Sequence, residues 1–311
     1  MSRDGRRYAR TVDQPARTTD LGTVSLTSLL WGDTDDTSLP LALLLHGFPD
    51  TAHTWRYVAP LLVDAGYRVV APFTRGYAPS AIPSDGSFHV PALMSDALAL
   101  HAAYDGDDRA LLVGHDWGAI TANGIAAMEE QPFGAIAVLA VPPLSAMTPS
   151  GSGLGILPRQ ATMSWYTLFN QLPVLPERTF DRLVAHLWRR WSPHYDPADD
   201  LALLAQSVPD LEHRSAVIGY YRAQARPWQM PATYAALQPV WTRPPQVPVL
   251  YLQGAFDGCL DPRWADVVAD RLPTGSRTVV VPSAGHFLQL EQPRPVASHV
   301  LGFVETRRAP R

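Results

Sequence analysis

A chain of 311 residues, 46% hydrophobic and 17% charged, has the make-up of a globular protein with one large domain or a core domain carrying an insertion. The formal net charge of −4 offers no basic face to nucleic acid or anionic lipid. All 25 basic residues are arginine, which excludes a Schiff-base lysine and a phosphate-loop lysine and points to a GC-rich bacterial genome.

The first twenty residues are polar, Arg-rich and aperiodic, and read as a flexible N-terminal arm. Arg6-Arg7 is followed by no apolar run before Asp20, so a secretion signal is not expected. With one cysteine, Cys259, and no apolar stretch of about 18 residues, the expected location is the cytoplasm, with no membrane contact. Alternation from Thr23 to Trp31 predicts a first strand, and the apolar run Leu39 to Leu45 a second, buried one that ends in His46-Gly47-Phe48-Pro49. A helix from Thr54 to Ala65, a strand from Tyr67 to Phe73 and a helix from His89 to Tyr104 follow. The next strand, from Ala110, ends in Gly114-His115-Asp116-Trp117-Gly118 and leads into a helix from Trp117 to Glu130; Gly134 to Val141 is again a buried strand.

From residue 144 to 243 the β-rich runs vanish. Helical patterns at Leu157 to Leu172, Glu177 to Trp191, Ala198 to Ser207 and Leu211 to Ala225 are punctuated by prolines. Strand–helix alternation then resumes with a strand Val247 to Leu252, a helix Pro262 to Leu272, a strand Arg277 to Val281 and a helix Pro295 to Arg307. The expected organisation is an α/β core of mostly parallel sheet with helices on both faces, at residues 21–143 and 244–308, and an inserted all-helical cap at 144–243.

Gly-x-Asp-x-Gly between a buried strand and a helix has the form of a nucleophile elbow, a turn that lifts one side chain above the sheet. Ser is its usual occupant. Asp116 shifts the expected chemistry from acyl transfer toward attack by a carboxylate. Asp257 and His286 also lie just past strand ends, where ligands sit in such sheets. Their order gives Asp116 as nucleophile, Asp257 as the acid that orients the imidazole, and His286 as general base. Asp261 is the rival acid, but it precedes Pro262 and reads as a helix cap. The backbone N–H groups of Phe48 and Trp117 suit an oxyanion hole, with His46 in a structural role. No Gly-rich phosphate fingerprint and no metal-binding spacing stand out, so neither a cofactor nor a metal is expected.

Taken together, His46-Gly47-Phe48-Pro49, Arg75-Gly76-Tyr77, the Asp116 elbow, Gly254-x-x-Asp257, Gly285-His286-Phe287 and Glu291-Gln292-Pro293 resemble the α/β-hydrolase-fold epoxide hydrolases, from about Leu21 to Arg307. The core motifs are shared with haloalkane dehalogenases. The resemblance implies hydrolysis of a small-molecule epoxide to a vicinal diol, with two cap tyrosines binding the epoxide oxygen. Those positions match Tyr166 and Tyr221, with Tyr220 as an adjacent substrate-binding rival and Trp165 a further substrate contact. A dehalogenase with the same nucleophile is the first alternative; it is weakened by Phe48 where a halide-binding Asn is usual. A non-catalytic binding protein on a hydrolase scaffold is the second. Trp165, Trp188, Trp191, Trp228 and Trp241 make the insertion aromatic, which would suit a bulky or aromatic substrate or simply fill the cap core.

Overall fold

The computed structural model describes residues 14–147 and 151–308. Eight strands form one sheet: β1 (Ala16–Asp20), β2 (Ser25–Trp31), β3 (Leu41–Leu45), β4 (Arg68–Pro72), β5 (Leu111–His115), β6 (Ala135–Leu139), β7 (Val249–Gly254) and β8 (Arg277–Val281). Their spatial order is β1-β2-β4-β3-β5-β6-β7-β8. Pairing is antiparallel for β1 with β2 and β2 with β4, and parallel from β4 through β8. The continuous apolar runs become the central strands, each buried along its whole length. The more polar β1 and β8 take the two edges; β1 is exposed along nearly its whole length and β8 is part-exposed.

The β1 strand corrects the expected arm. Residues 1–13 lie outside the described residues, but Ala16–Asp20 pairs in register with Ser25–Leu29. The Thr18 and Thr27 hydroxyls meet at 2.8 Å, and Arg17 pairs with Asp35. An exposed five-residue edge strand has no buried face, so its sequence carries no apolar alternation.

Helices α1 (Ala59–Asp64), α2 (Val90–Ala103) and α3 (Trp117–Ala126) lie in the connections from β3 to β4, β4 to β5 and β5 to β6. The helix expected from Thr54 is a 3-10 turn at Ala52–Trp55 followed by α1, with Pro60 in its first turn. Between β6 and β7, the regular elements among the described residues are helical. They include α4 (Leu157–Met163), α5 (Trp165–Phe169), α6 (Leu175–Arg178), α7 (Phe180–Trp191), α8 (Ala198–Ser207) and α9 (Leu211–Gln224). The expected Leu157–Leu172 helix breaks at Ser164, whose hydroxyl accepts from Gln160 Nε2. The Glu177–Trp191 helix divides at Thr179. After β7 come α10 (Trp264–Ala269), α11 (Leu288–Glu291) and α12 (Pro293–Arg308). No helix of the described residues is long and apolar enough to cross a membrane.

Because β3 lies between β4 and β5, the chain turns one way after β3 and the other way to reach β5. The loops after those two strands therefore diverge and leave a crevice at their carboxyl ends, the usual ligand position in an open parallel sheet. His46–Phe48 and Asp116 stand at its two sides.

Candidate active site

Asp116 adopts φ 52°, ψ −113° between β5 and α3. A non-glycine residue in that region stores about 1–3 kcal/mol of strain, which surrounding contacts must hold. Here the Asp116 N–H donates to Leu139 O at 3.3 Å and its carbonyl accepts from Ile120 N at 3.0 Å. The flanking glycines are a packing requirement. A Cβ on Gly114 would strike Gly118 O, and one on Gly118 would strike Leu45 O. A Cβ on Gly47 would run into both Asp116 Oδ1 and Trp117 N, so the two loops meet only because that position is bare. The result is an N–H corner around the carboxylate. Phe48 N donates to Asp116 Oδ1 at 2.7 Å, and Trp117 N, the first open donor of α3, borders the same space at bare Gly47.

His286 stands over the other oxygen, its Nε2 3.6 Å from Asp116 Oδ2. Its Nδ1 donates to Asp257 Oδ2 at 3.0 Å. Asp257 is held by three donors: Cys259 N and Leu260 N at 2.7 and 3.0 Å to Oδ1, and Gln253 Nε2 at 2.9 Å to Oδ2. Asp261 is occupied elsewhere, paired with Arg263 and accepting its backbone N–H. Burial alone would lower the His286 pKa, but the Asp257 and Asp116 carboxylates outweigh it and raise it to about 10. Burial pushes Asp116 the other way, and the His286 contact returns it below the ordinary carboxylate value. Each of the two groups thereby favours the charged form of the other. His46 is pushed down to about 4 by burial. Its Nε2 accepts from Thr74 N and its Nδ1 donates to Gly47 O, so it is a neutral brace for the loop.

Two phenols from the helical segment close the corner. Tyr221, on α9, packs its ring edge-on against Phe48, Trp117 and Tyr166, with centroids 5.1, 5.2 and 5.6 Å away. Its buried hydroxyl has no hydrogen-bond partner among the described residues. Tyr166, on α5, lies against Trp191 and brings its hydroxyl to 3.4 Å from Cys259 Sγ. Burial raises both phenols well above 10, so they stay protonated and can donate.

A model of the α/β hydrolase fold matches residues 40–293. Epoxide hydrolase A of Mycobacterium tuberculosis is 31% identical over 307 residues, spanning 85% of this chain and 90% of that protein. The chain belongs to the α/β-hydrolase-fold epoxide hydrolases. A solved structure from Klebsiella pneumoniae superimposes with a TM-score of 0.76 at 23% identity, covering 93% of this chain and 97% of that one. Epoxide hydrolase A from Mycobacterium thermoresistibile does so with a TM-score of 0.71 at 24% identity, covering 94% and 98%. At those identities the two structures speak for the fold.

Within this epoxide hydrolase fold, Asp116, Asp257, His286, Phe48, Trp117, Tyr166 and Tyr221 converge on one corner, and two sequence expectations are corrected. Tyr220 does not face it: its hydroxyl donates to Arg75 O at 2.8 Å and its ring packs among Tyr77, Phe88 and Trp117. Trp165 is 41% exposed and packs on Phe169 and His186, so it is not a wall of the site. Neighbours on a helix point about 100° apart, and only packing decides which of a pair faces inward. Of the other cap tryptophans, Trp188 stacks on Phe287 at 3.5 Å and donates to Pro49 O, while Trp228 is 76% exposed.

Sequence reasoning also missed the supports of the base. The carbonyl of Trp191, at the end of α7, accepts from His286 N and Gly258 N at 3.0 and 3.1 Å. His115 Nε2 donates to His286 O at 2.9 Å. Ser192 Oγ donates to Glu291 and accepts from Phe287 N. Only the elbow position of His115 gave any signal in the sequence; the other contacts join distant segments.

Proposed function

We propose that this chain opens an epoxide to a vicinal diol through an alkyl ester on Asp116. It is a hydrolase acting on ether bonds, as its family membership states. The observation that carries the mechanism is the division of labour around one carboxylate. Oδ1 is held by the Phe48 N–H while Oδ2 stands 3.6 Å from His286 Nε2, with two protonated phenols adjoining.

In the first step Oδ2 attacks an epoxide carbon and the C–O bond breaks. Tyr166 and Tyr221 hydrogen-bond the leaving oxygen and supply its proton. The ester removes the charge on Asp116, and with it one of the groups that hold the His286 pKa near 10. The imidazole thereby moves toward the neutral form that a base requires, while Asp257 keeps Nε2 aimed at the ester. His286 takes a proton from water, and the hydroxide adds to the Asp116 carboxyl carbon. The oxyanion forms on Oδ1, between the N–H groups of Phe48 and Trp117. Collapse expels the diol's alkoxide, which takes the proton from His286, and the proton of the new Asp116 carboxyl returns to the phenolate left by the first step, restoring carboxylate and phenol. Epoxide plus water gives diol, with no cofactor in the balance.

Residues 144–243 act as the cap on a core formed by 21–143 and 244–308. The aromatic walls at Phe48, Trp117, Tyr166, Trp191 and Tyr221 favour an epoxide with a bulky or aromatic substituent. A reducing cytoplasm suits the buried free thiol of Cys259. The test is one turnover in ¹⁸O-labelled water. Unlabelled oxygen from Asp116 should enter the diol and the label should remain on Asp116. A diol labelled in that first turnover would exclude the ester.

A further inference from the structure

We infer that the corner between nucleophile and base is also a binding site for a thiophilic divalent cation, zinc or cadmium, held by Asp116, Cys259 and His286, and that this ion shuts the enzyme off. One donor atom from each of the three residues lies within 4.8 Å of the others, and all three side chains are buried. His286 Nε2 makes no hydrogen bond among the described residues and faces this cluster. Tetrahedral zinc, with bonds of about 2.0–2.3 Å, seats its donors about 3.3–3.6 Å apart. The His286–Asp116 edge, at 3.6 Å, is already close to that spacing. The cysteine sulfur needs to come in by about 1 Å. Its polar contact among the described residues is the 3.4 Å approach to the Tyr166 hydroxyl, and the rest of its surroundings are core packing.

The outer contacts also suit a metal. Asp257 Oδ2 accepts from His286 Nδ1, the carboxylate–histidine arrangement that fixes Nε2 as the ligand atom. Oδ1 of the same Asp257 accepts the Cys259 N–H, so one carboxylate positions two of the three ligands. Sulfur, imidazole and a single carboxylate oxygen select zinc or cadmium over magnesium and calcium, which prefer oxygen cages. On binding, the thiol and Nε2 protons leave to solvent, and the two anionic ligands balance the ion's charge. The ion would occupy nucleophile and base together, so inhibition should compete with the epoxide. That consequence rests on the roles proposed above; the binding itself does not.

The experiment titrates the full chain with cadmium alone, reading the thiolate-to-cadmium charge-transfer absorbance, with magnesium as control. Zinc inhibition of epoxide turnover follows, each variant being compared with its own zinc-free rate. The expected result is a saturable band at one equivalent that Cys259→Ala and Cys259→Ser lose. The zinc midpoint should rise at least about tenfold in either variant. Circular dichroism identifies which variant is folded, and either one suffices. A wild-type chain without the band, or zinc inhibition equal in wild type and folded variant, overturns the inference. The absorbance needs no substrate, so its failure is separable from failure of the hydrolase reading, which the ¹⁸O experiment reads.

Discussion

The two sides of this active site are built differently. On the sheet side, backbone fixes the charged groups. Asp116 is clamped between Leu139 O and Ile120 N, Asp257 accepts two backbone N–H groups, and His286 is tied through both its N–H and its carbonyl. On the helical side, Tyr166 has a single 3.4 Å polar contact and Tyr221 none among the described residues; ring packing alone orients them. In the proposed mechanism nucleophile and base must keep one geometry for any epoxide, whereas the oxygen donors have to meet substrates of differing shape. Rigid loops suit the first task and side chains on packed helices the second.

That contrast predicts a ranking of losses. Asp116→Asn removes the attacking group and should lower turnover by at least about 10⁴-fold while melting temperature stays near wild type. A residual rate near that of a tyrosine variant would break the contrast. His286→Gln should cost about 10³–10⁴-fold and leave the ester intact, so mass spectrometry of enzyme mixed with substrate should show a mass increase equal to the epoxide. An unmodified chain after mixing would remove His286 from the second step.

Tyr166→Phe and Tyr221→Phe should each cost about 10²-fold, with Tyr220→Phe within about threefold, since its hydroxyl donates to Arg75 O, away from the Asp116 corner. Steady-state rates for the three variants decide the register; a Tyr220→Phe loss matching that of Tyr221→Phe would contradict the geometry.

The smallest effect concerns the seam between the two sides. Arg56, in the core, pairs at 2.7 Å with Asp200 on α8, and Asp50 is buried nearby with Oδ2 lacking a partner among the described residues. Burial, then the Asp200 charge, raises Asp50 from 3.8 to about 8. A carboxyl raised on folding stabilises the protein in its protonated form; that contribution is complete below about 4 and lost as pH rises through about 8. Asp50→Asn stays neutral and should melt higher than wild type, the gap widening from pH 5 to pH 8 and levelling above. Melting curves at several pH values measure it, and a constant gap would place the ionisation elsewhere.

The sequence was most legible where local chemistry alone constrains the chain. Buried parallel strands read as unbroken apolar runs, so β3, β5, β6 and β7 were plain, and the residues just past their ends followed from the topology. Gly114 and Gly118 mark the elbow because any side chain there would hit backbone. Asp257 was separable from Asp261 by its distance from the strand end. By itself, then, the sequence determined the fold class and singled out Asp116 and His286, the proposed nucleophile and base. The tertiary structure decided the polar edge strand β1, the helix breaks at Ser164 and Thr179, and that Tyr221 rather than Tyr220 packs against Phe48 and Tyr166. It alone turned Trp165 outward, set Trp191 O under His286 and brought Cys259 near Asp116. The physical reason is one of range: a strand-end loop is placed by the residues within it, whereas the inward face of a helix and the meeting of distant side chains depend on packing that no local pattern encodes.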